Sequence, residues 1–157
     1  MSKHEITNLK PLLFYAFLNL VLLPASISLH EWGHWLIAYC LGYRSGYVIF
    51  SPAGGMFFLG EPLYSLLHGL LIGVSGGFTV VVVFGILYLC LDWETDLVEK
   101  NVLRSYSTSQ FVYALTEGLY GVGVIDLNIL IIASNIIYPI CLYAYLIYTF
   151  IQIYRNE

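Results

Sequence analysis

Ser28-Leu29-His30-Glu31-Trp32-Gly33-His34-Trp35 lies within a predominantly apolar run, residues 11–43. If the run is helical, residues four apart share a face, and the imidazoles of His30 and His34 reach one metal ion at about 2.0–2.1 Å from each nitrogen. Glu31, next in sequence to His30, then projects toward an open coordination position, where a carboxylate takes a proton from water held by the metal. An acid near the centre of a membrane span costs about 2.5–3.5 kcal/mol on insertion scales. Titratable side chains gathered in such a helix therefore imply that they bind something.

The rest of the chain makes the membrane setting plain. Of 157 residues, 59% are apolar and only 10% charged, against about one quarter charged in a soluble domain. Lipid is the expected solvent, and residues 1–157 read as a single integral membrane domain of a multi-pass protein of the cell membrane. The net charge of -4 is dense only at Asp92, Glu94, Asp96 and Glu99. No basic surface is present, so nucleic acid is not an expected partner. Cys40, Cys90 and Cys141 show no Cys-x-x-Cys spacing and read as buried structural residues rather than a disulfide framework or thiolate site. Lys3, Lys10 and the apolar run before Pro24 resemble a secretory leader. They are expected instead to form a first span, because the apolar character resumes beyond Trp35.

Four regions approach the length of a span: 11–28, 29–43, 62–91 and 124–154. A continuous helix over 11–43 is about 50 Å long, against a bilayer core of roughly 30 Å, so a kink or break is expected near Pro24. Residues 47–59 read as strand, turn and strand, a small β-hairpin or re-entrant loop after the metal-binding helix. Ser65, Gly69, Gly73 and Gly77 recur every fourth residue and predict close approach of another helix, taken to be the one carrying His30. Gly76-Gly77 offers a possible opening in that segment. Residues 92–109 hold charge and turn formers and read as the main connector outside the membrane, with 111–120 a shorter helix. The six basic residues are divided among both ends and two loops, which leaves orientation open. The fold expected is all-α and polytopic, with about four transmembrane or partly embedded helices and the hairpin.

His30, Glu31 and His34 in a membrane helix, the following Gly42 and hairpin, Ser75-Gly76-Gly77, and a later intramembrane acid together resemble the site-2 protease family of intramembrane zinc metalloproteases. The resemblance covers most of the chain. It implies a third zinc ligand from an aspartate on a later helix, and Asp126 in Val124-Ile125-Asp126-Leu127-Asn128 matches by position and setting. Leu127 stands where the family usually has glycine, and the family's preceding proline is missing. From the residues alone, a catalytic zinc takes three protein ligands, and an acid opening an apolar run needs a cationic partner. Glu117 and His68 are the alternatives for the third ligand, and a helix N-cap is the purely structural role for Asp126.

The chemistry expected is peptide hydrolysis with Zn2+ as cofactor, His30, His34 and Asp126 as ligands and Glu31 as general base. The substrate expected is a membrane protein or peptide, cut in a transmembrane or juxtamembrane segment that must be locally extended. It is held along the hairpin edge by strand addition, with Phe50, Gly54, Gly55 and Asn128 as substrate-binding residues. Asn128 and Asn135 are the polar positions of the last apolar run, suited to ligand orientation, a substrate carbonyl or interhelical bonding. The alternative is a non-catalytic membrane protein that binds zinc structurally or docks a partner through its glycine row. A fourth protein ligand, such as His68, would mark that case.

Overall fold

Each apolar run becomes a helix, and polar or glycine residues set the ends. In the computed structural model, residues 3–51, 54–92 and 97–155 are described. They form α1 (Lys3–Cys40), β1 (Tyr47–Ser51), β2 (Gly54–Phe58), α2 (Leu66–Leu89), α3 (Leu97–Gly121) and α4 (Leu127–Arg155). Gly42 at φ +100° and Gly123 at φ +74° end α1 and α3 in a conformation that favours glycine. The side chains of Ser65 and Asp126 cap α2 and α4, accepting from the backbone N–H of His68 at 3.2 Å and of Ile129 at 2.9 Å. Segments Leu13–Cys40, Leu66–Leu89 and Leu127–Gln152 are each long and apolar enough to cross a membrane.

α1 runs as one helix through Pro11 and Pro24, so of the kink or break expected near Pro24 the break is not formed. Pro24 withdraws only one donor, from the Leu20 carbonyl, and the neighbouring turns carry the helix past it. β1 and β2 pair antiparallel from Tyr47 opposite Phe58 to Ser51 opposite Gly54. The hairpin expected from the sequence is therefore formed, although its turn at Pro52 and Ala53 lies outside the described residues. On the same side of the bundle, the Glu61 carboxylate accepts from the Tyr64 hydroxyl at 2.7 Å, the Arg44 N–H at 2.8 Å, and the Ser45 hydroxyl and N–H at 2.9 and 3.2 Å. These donors hold its pKa down at about 2, Tyr64 contributing most. The pin between the segments flanking the hairpin is thus intact above the ordinary carboxylate pKa and is lost as pH falls through about 2.

The glycine row packs on α3 rather than on α1. A Cβ at Gly69 would lie 2.1 Å from the Gly121 carbonyl oxygen, at Gly73 2.5 Å from that of Glu117, and at Gly77 2.3 Å from that of Gln110. Rising numbers on α2 meet falling numbers on α3, so the two helices are antiparallel and their backbones touch. α1 meets the other side of α2, where a Cβ at Gly33 would lie 2.7 Å from the Ser75 carbonyl oxygen. Gly76-Gly77 does not open, because each glycine is a contact point with a different helix.

Residues 97–109, expected to be a connector, are the first half of α3 and pack in the helix bundle on α2 and α4. Asn101, Ser105 and Ser109 are fully buried there. Their polarity faces the protein interior, the reverse of a helix on a soluble protein, and this inversion misled the sequence reading. Asn101 Nδ2 donates to Thr149 Oγ1 at 3.0 Å, and Thr108 meets Tyr145 at 3.3 Å, so α4 runs antiparallel to α3. The apolar core gathers Tyr15 of α1, Val80 and Phe84 of α2, and Val102, Leu103 and Tyr106 of α3. Leucines and isoleucines point outward along α1, α2 and α4. Cys40 and Cys90 are exposed and Cys141 half-buried, so the cysteines are not the buried residues expected: they lie on outward-facing helix surfaces.

Gly77→Val is expected to force α2 and α3 apart, a clash of the kind that costs about 1–3 kcal/mol. Gly85, with nothing within 4 Å of a built Cβ, is the control: Gly85→Ala should gain about 0.5–1 kcal/mol of helix stability. Thermal unfolding in detergent should move the two midpoints in opposite directions.

Candidate metal centre

Three helices each bring part of one cluster. α1 places His30 and His34 on one face, with His30 Nε2 and His34 Nε2 3.0 Å apart. α3 brings Glu117, whose Oε2 lies 3.1 Å from His30 Nε2 and 3.5 Å from His34 Nε2. α2 makes the space. A Cβ at Gly76 would lie 2.3 Å from His34 Nε2 and 2.8 Å from His30 Nε2, so any larger residue there intrudes on the cluster.

The hydrogen bonds on the far side of each ring fix what the near side offers. His34 Nδ1 lies 2.6 Å from the Ile72 carbonyl oxygen, which also accepts from the Ser75 hydroxyl at 2.7 Å. A carbonyl only accepts, so His34 Nδ1 carries the proton. His30 Nδ1 likewise donates to Gln110 Oε1 at 2.8 Å. In the neutral rings both Nε2 atoms are therefore bare lone pairs, turned on each other and on a carboxylate. Glu117 Oε2 is close to both nitrogens yet has no hydrogen-bond partner. A proton on His30 Nε2 would bond the Glu117 carboxylate, whose oxygens lie 3.1 and 3.2 Å away, without joining His34 to that carboxylate. A divalent metal satisfies all three together.

The spacings fit that reading. Tetrahedral ligands at zinc-like bond lengths stand about 3.3 Å apart, and the separations of 3.0, 3.1 and 3.5 Å bracket that value. Metal-bound histidines also characteristically give their second ring N–H to a carbonyl, carboxylate or water, as both do here to Ile72 and Gln110. Among the described residues, His30, His34 and Glu117 form the group of ligand atoms close enough to hold a metal.

Glu31 is buried beside the cluster and outside the ligand set. A Cβ at Gly55 would lie 2.5 Å from Glu31 Cγ, and the Phe57 backbone amide reaches its carboxylate, so β2 packs directly on this acid. His30, Glu31, Gly54 and Gly55 line a cavity of about 340 Å³, whose far wall is Ser109, Gln110 and Tyr113 of α3 with Ser134, Asn135 and Pro139 of α4. The Tyr113 ring stacks on His30 at 5.4 Å between centroids, and its hydroxyl faces Glu117 and Ser134. Comparison with protein-family models, with curated proteins and with solved structures returns no match.

The sequence reading placed His30, His34, Glu31, Gly54 and Gly55 where the structure brings them together. Asp126, the expected third ligand, is elsewhere: it is exposed and caps α4. The N-terminal helix dipole and the Ile129 N–H compensate its charge, so the cationic partner it was thought to need is not required. Glu117, one of the two alternatives, stands in the cluster. His68, the other, is outside the cluster, its Nδ1 hydrogen-bonded with the Tyr43 hydroxyl at 3.1 Å. Phe50 and Asn128 are exposed and do not line the cavity. Gln110 and Tyr113 escaped the sequence reading altogether. Their signal was their spacing from Glu117, at i, i+3 and i+7 on one helix face.

Gln110→Ala, which frees the His30 ring, is expected to weaken metal binding by about 10- to 100-fold. Gly76→Ala should weaken it by intrusion at His34, and Asn128→Ala should leave it unchanged. Competition with a chromophoric chelator for Zn2+ measures all three.

Proposed function

We propose that the chain is a zinc-dependent intramembrane endopeptidase. The supporting observation is the pairing of a converging His30–His34–Glu117 acceptor set with a separate buried acid, Glu31, on the wall of a cavity. Zinc held by His30, His34 and Glu117 would polarise a substrate carbonyl and acidify water beside it. Glu31 takes the proton from that water and passes it to the leaving nitrogen. Gln110 and the Ile72 carbonyl keep both imidazoles in the tautomer that presents Nε2, and His68, which would close the coordination shell, is engaged with Tyr43.

The substrate is a membrane protein or peptide segment that enters the cavity in extended form. A hydrogen-bonded helix shields its peptide groups, whereas an extended segment can pair with a strand edge. β2 supplies that edge beside Glu31, at Gly54 and Gly55. Across the cavity, Pro139 has no N–H to give the Asn135 carbonyl of the α4 wall. On this proposal the chain works in a membrane, the cell membrane being its expected location, and its three span-length apolar helices support a membrane setting. Lys10, Lys100, Arg104 and Arg155 lie at one end of the bundle, opposite Arg44, and by the positive-inside tendency that end faces the cytoplasm.

The test is cleavage of synthetic transmembrane peptides carrying a Gly-Pro break, followed by mass spectrometry with zinc-loaded protein in detergent. Glu31→Gln is expected to keep its zinc and lose activity by about 10²- to 10⁴-fold. Proline introduced in turn at residues 54–58 should suppress cleavage; unchanged cleavage would remove strand addition from the account. A folded, zinc-loaded wild type that cuts no peptide would leave the non-catalytic zinc protein as the better reading.

A further inference from the structure

A groove of about 390 Å³ lies along the seam of α3 and α4, lined by Arg104 of α3 and by Ala144, Tyr145 and Tyr148 of α4. None of these residues lines the cavity at the metal centre. The seam is bonded on either side of the groove, by Asn101 and Thr149 at 3.0 Å toward the helix ends and by Thr108 and Tyr145 at 3.3 Å further in. The tyrosines give the depth of the groove in a membrane. Arg104 Nη2 donates to the hydroxyl of Tyr88, the last residue but one of α2, and Tyr148 stands four residues before the end of the span-length segment Leu127–Gln152. Both therefore sit where an apolar span gives way to lipid headgroups, the level at which tyrosine is enriched.

Positive charge gathers at this level. The guanidinium carbon of Arg104 lies 4.9 Å from the Tyr88 ring centroid, and the ammonium of buried Lys100 lies 5.0 Å from the same centroid. Asp92 and Glu99, the described acids of this end, do not line the groove. The bond to Tyr88 uses one of the five donors of a guanidinium, whose planar fork matches phosphate oxygens. Ala144 keeps the α4 side of the groove open, and the surface leading to it is apolar. Ile132, Ile136, Ile140, Ala144 and Tyr148 recur every fourth residue, and all are exposed. From Ile132 to Ala144 this row runs about 18 Å, against about 15 Å for half of a bilayer core. A cationic notch at headgroup depth, above an apolar track one leaflet long, has the two-part form of a phospholipid. A free anion would leave the track uncovered.

We propose that the α3–α4 groove binds one membrane phospholipid, its phosphate at Arg104 and Tyr148 and one acyl chain along the isoleucine row of α4. α4 packs chiefly on α3, so a lipid bridging Arg104 and Tyr148 fastens the seam that carries the outer wall of the cavity. The site uses no residue of the metal centre and stands whether or not the chain is a protease.

Native mass spectrometry of the full-length protein released from detergent tests this, with dioleoyl phosphatidylglycerol and dioleoylglycerol as probes. The two share their acyl chains and differ only in the phosphoglycerol group. One phosphatidylglycerol per chain is expected at concentrations that leave dioleoylglycerol unbound. Arg104→Gln is expected to weaken that binding by about tenfold or more, the worth of a charge-assisted hydrogen bond. Ala144→Phe, which fills the notch from an exposed position, should abolish it while circular dichroism stays that of the wild type. Equal retention of dioleoylglycerol would overturn the proposal, as would undiminished phosphatidylglycerol binding by folded Ala144→Phe. Stoichiometric binding of inorganic phosphate that phosphatidylglycerol does not displace would overturn it too, since the notch would then serve a free anion. If Arg104→Gln does not fold, the Ala144→Phe and dioleoylglycerol comparisons decide.

Discussion

Two imidazole lone pairs and a carboxylate cannot rest 3.0–3.5 Å apart inside an apolar helix bundle unless something positive lies between them. That constraint organises the molecule. Both Nδ1 protons are committed to fixed acceptors on α2 and α3, so the rings cannot turn their donors inward to relieve the repulsion. The three ligand atoms are close enough to hold one metal ion, and the scaffold keeps them there by packing contacts that have little freedom to relax.

Glycine makes that packing possible. Gly69, Gly73 and Gly77 let α3 press its backbone against α2, and Gly73 sits against the backbone of Glu117 itself. Gly76, on another face of the same helix, admits the histidines of α1, and Gly55 brings β2 onto Glu31. In a bilayer no hydrophobic driving force joins helices, so close van der Waals contact at small residues supplies much of the association. One glycine-rich helix therefore sets the positions of both histidines and the glutamate, although it contributes none of their side chains.

Much of this was legible in the sequence, and the remainder failed for identifiable reasons. The His30–His34 spacing carries its own geometry, because four residues make about one helical turn, and the hairpin declared itself through strand formers around a Ser-Pro-Ala-Gly-Gly turn. Glu117, the third member of the cluster, lies 83 residues beyond His34 in sequence, and no local pattern fixes a contact that depends on how α3 packs. Asp126 attracted the assignment because a membrane acid needs compensation, and a helix N-terminus supplies it. α3 was half missed because polarity usually marks solvent, whereas here Asn101, Ser105 and Ser109 point inward. The fourfold spacing of those residues was visible, and a period of four in polar residues between apolar ones marks a buried face as readily as a period of apolar ones does.

The central claim is that His30, His34 and Glu117 hold one metal ion, and metal content tests it most directly. Purified protein in detergent, dialysed against excess zinc and then zinc-free buffer, should retain one zinc per chain by elemental analysis. Glu117→Ala and His34→Ala should lose it while remaining helical by circular dichroism, and Asp126→Ala should retain it. A folded wild type without zinc, or a zinc site that survives Glu117→Ala and disappears in Asp126→Ala, would contradict the account.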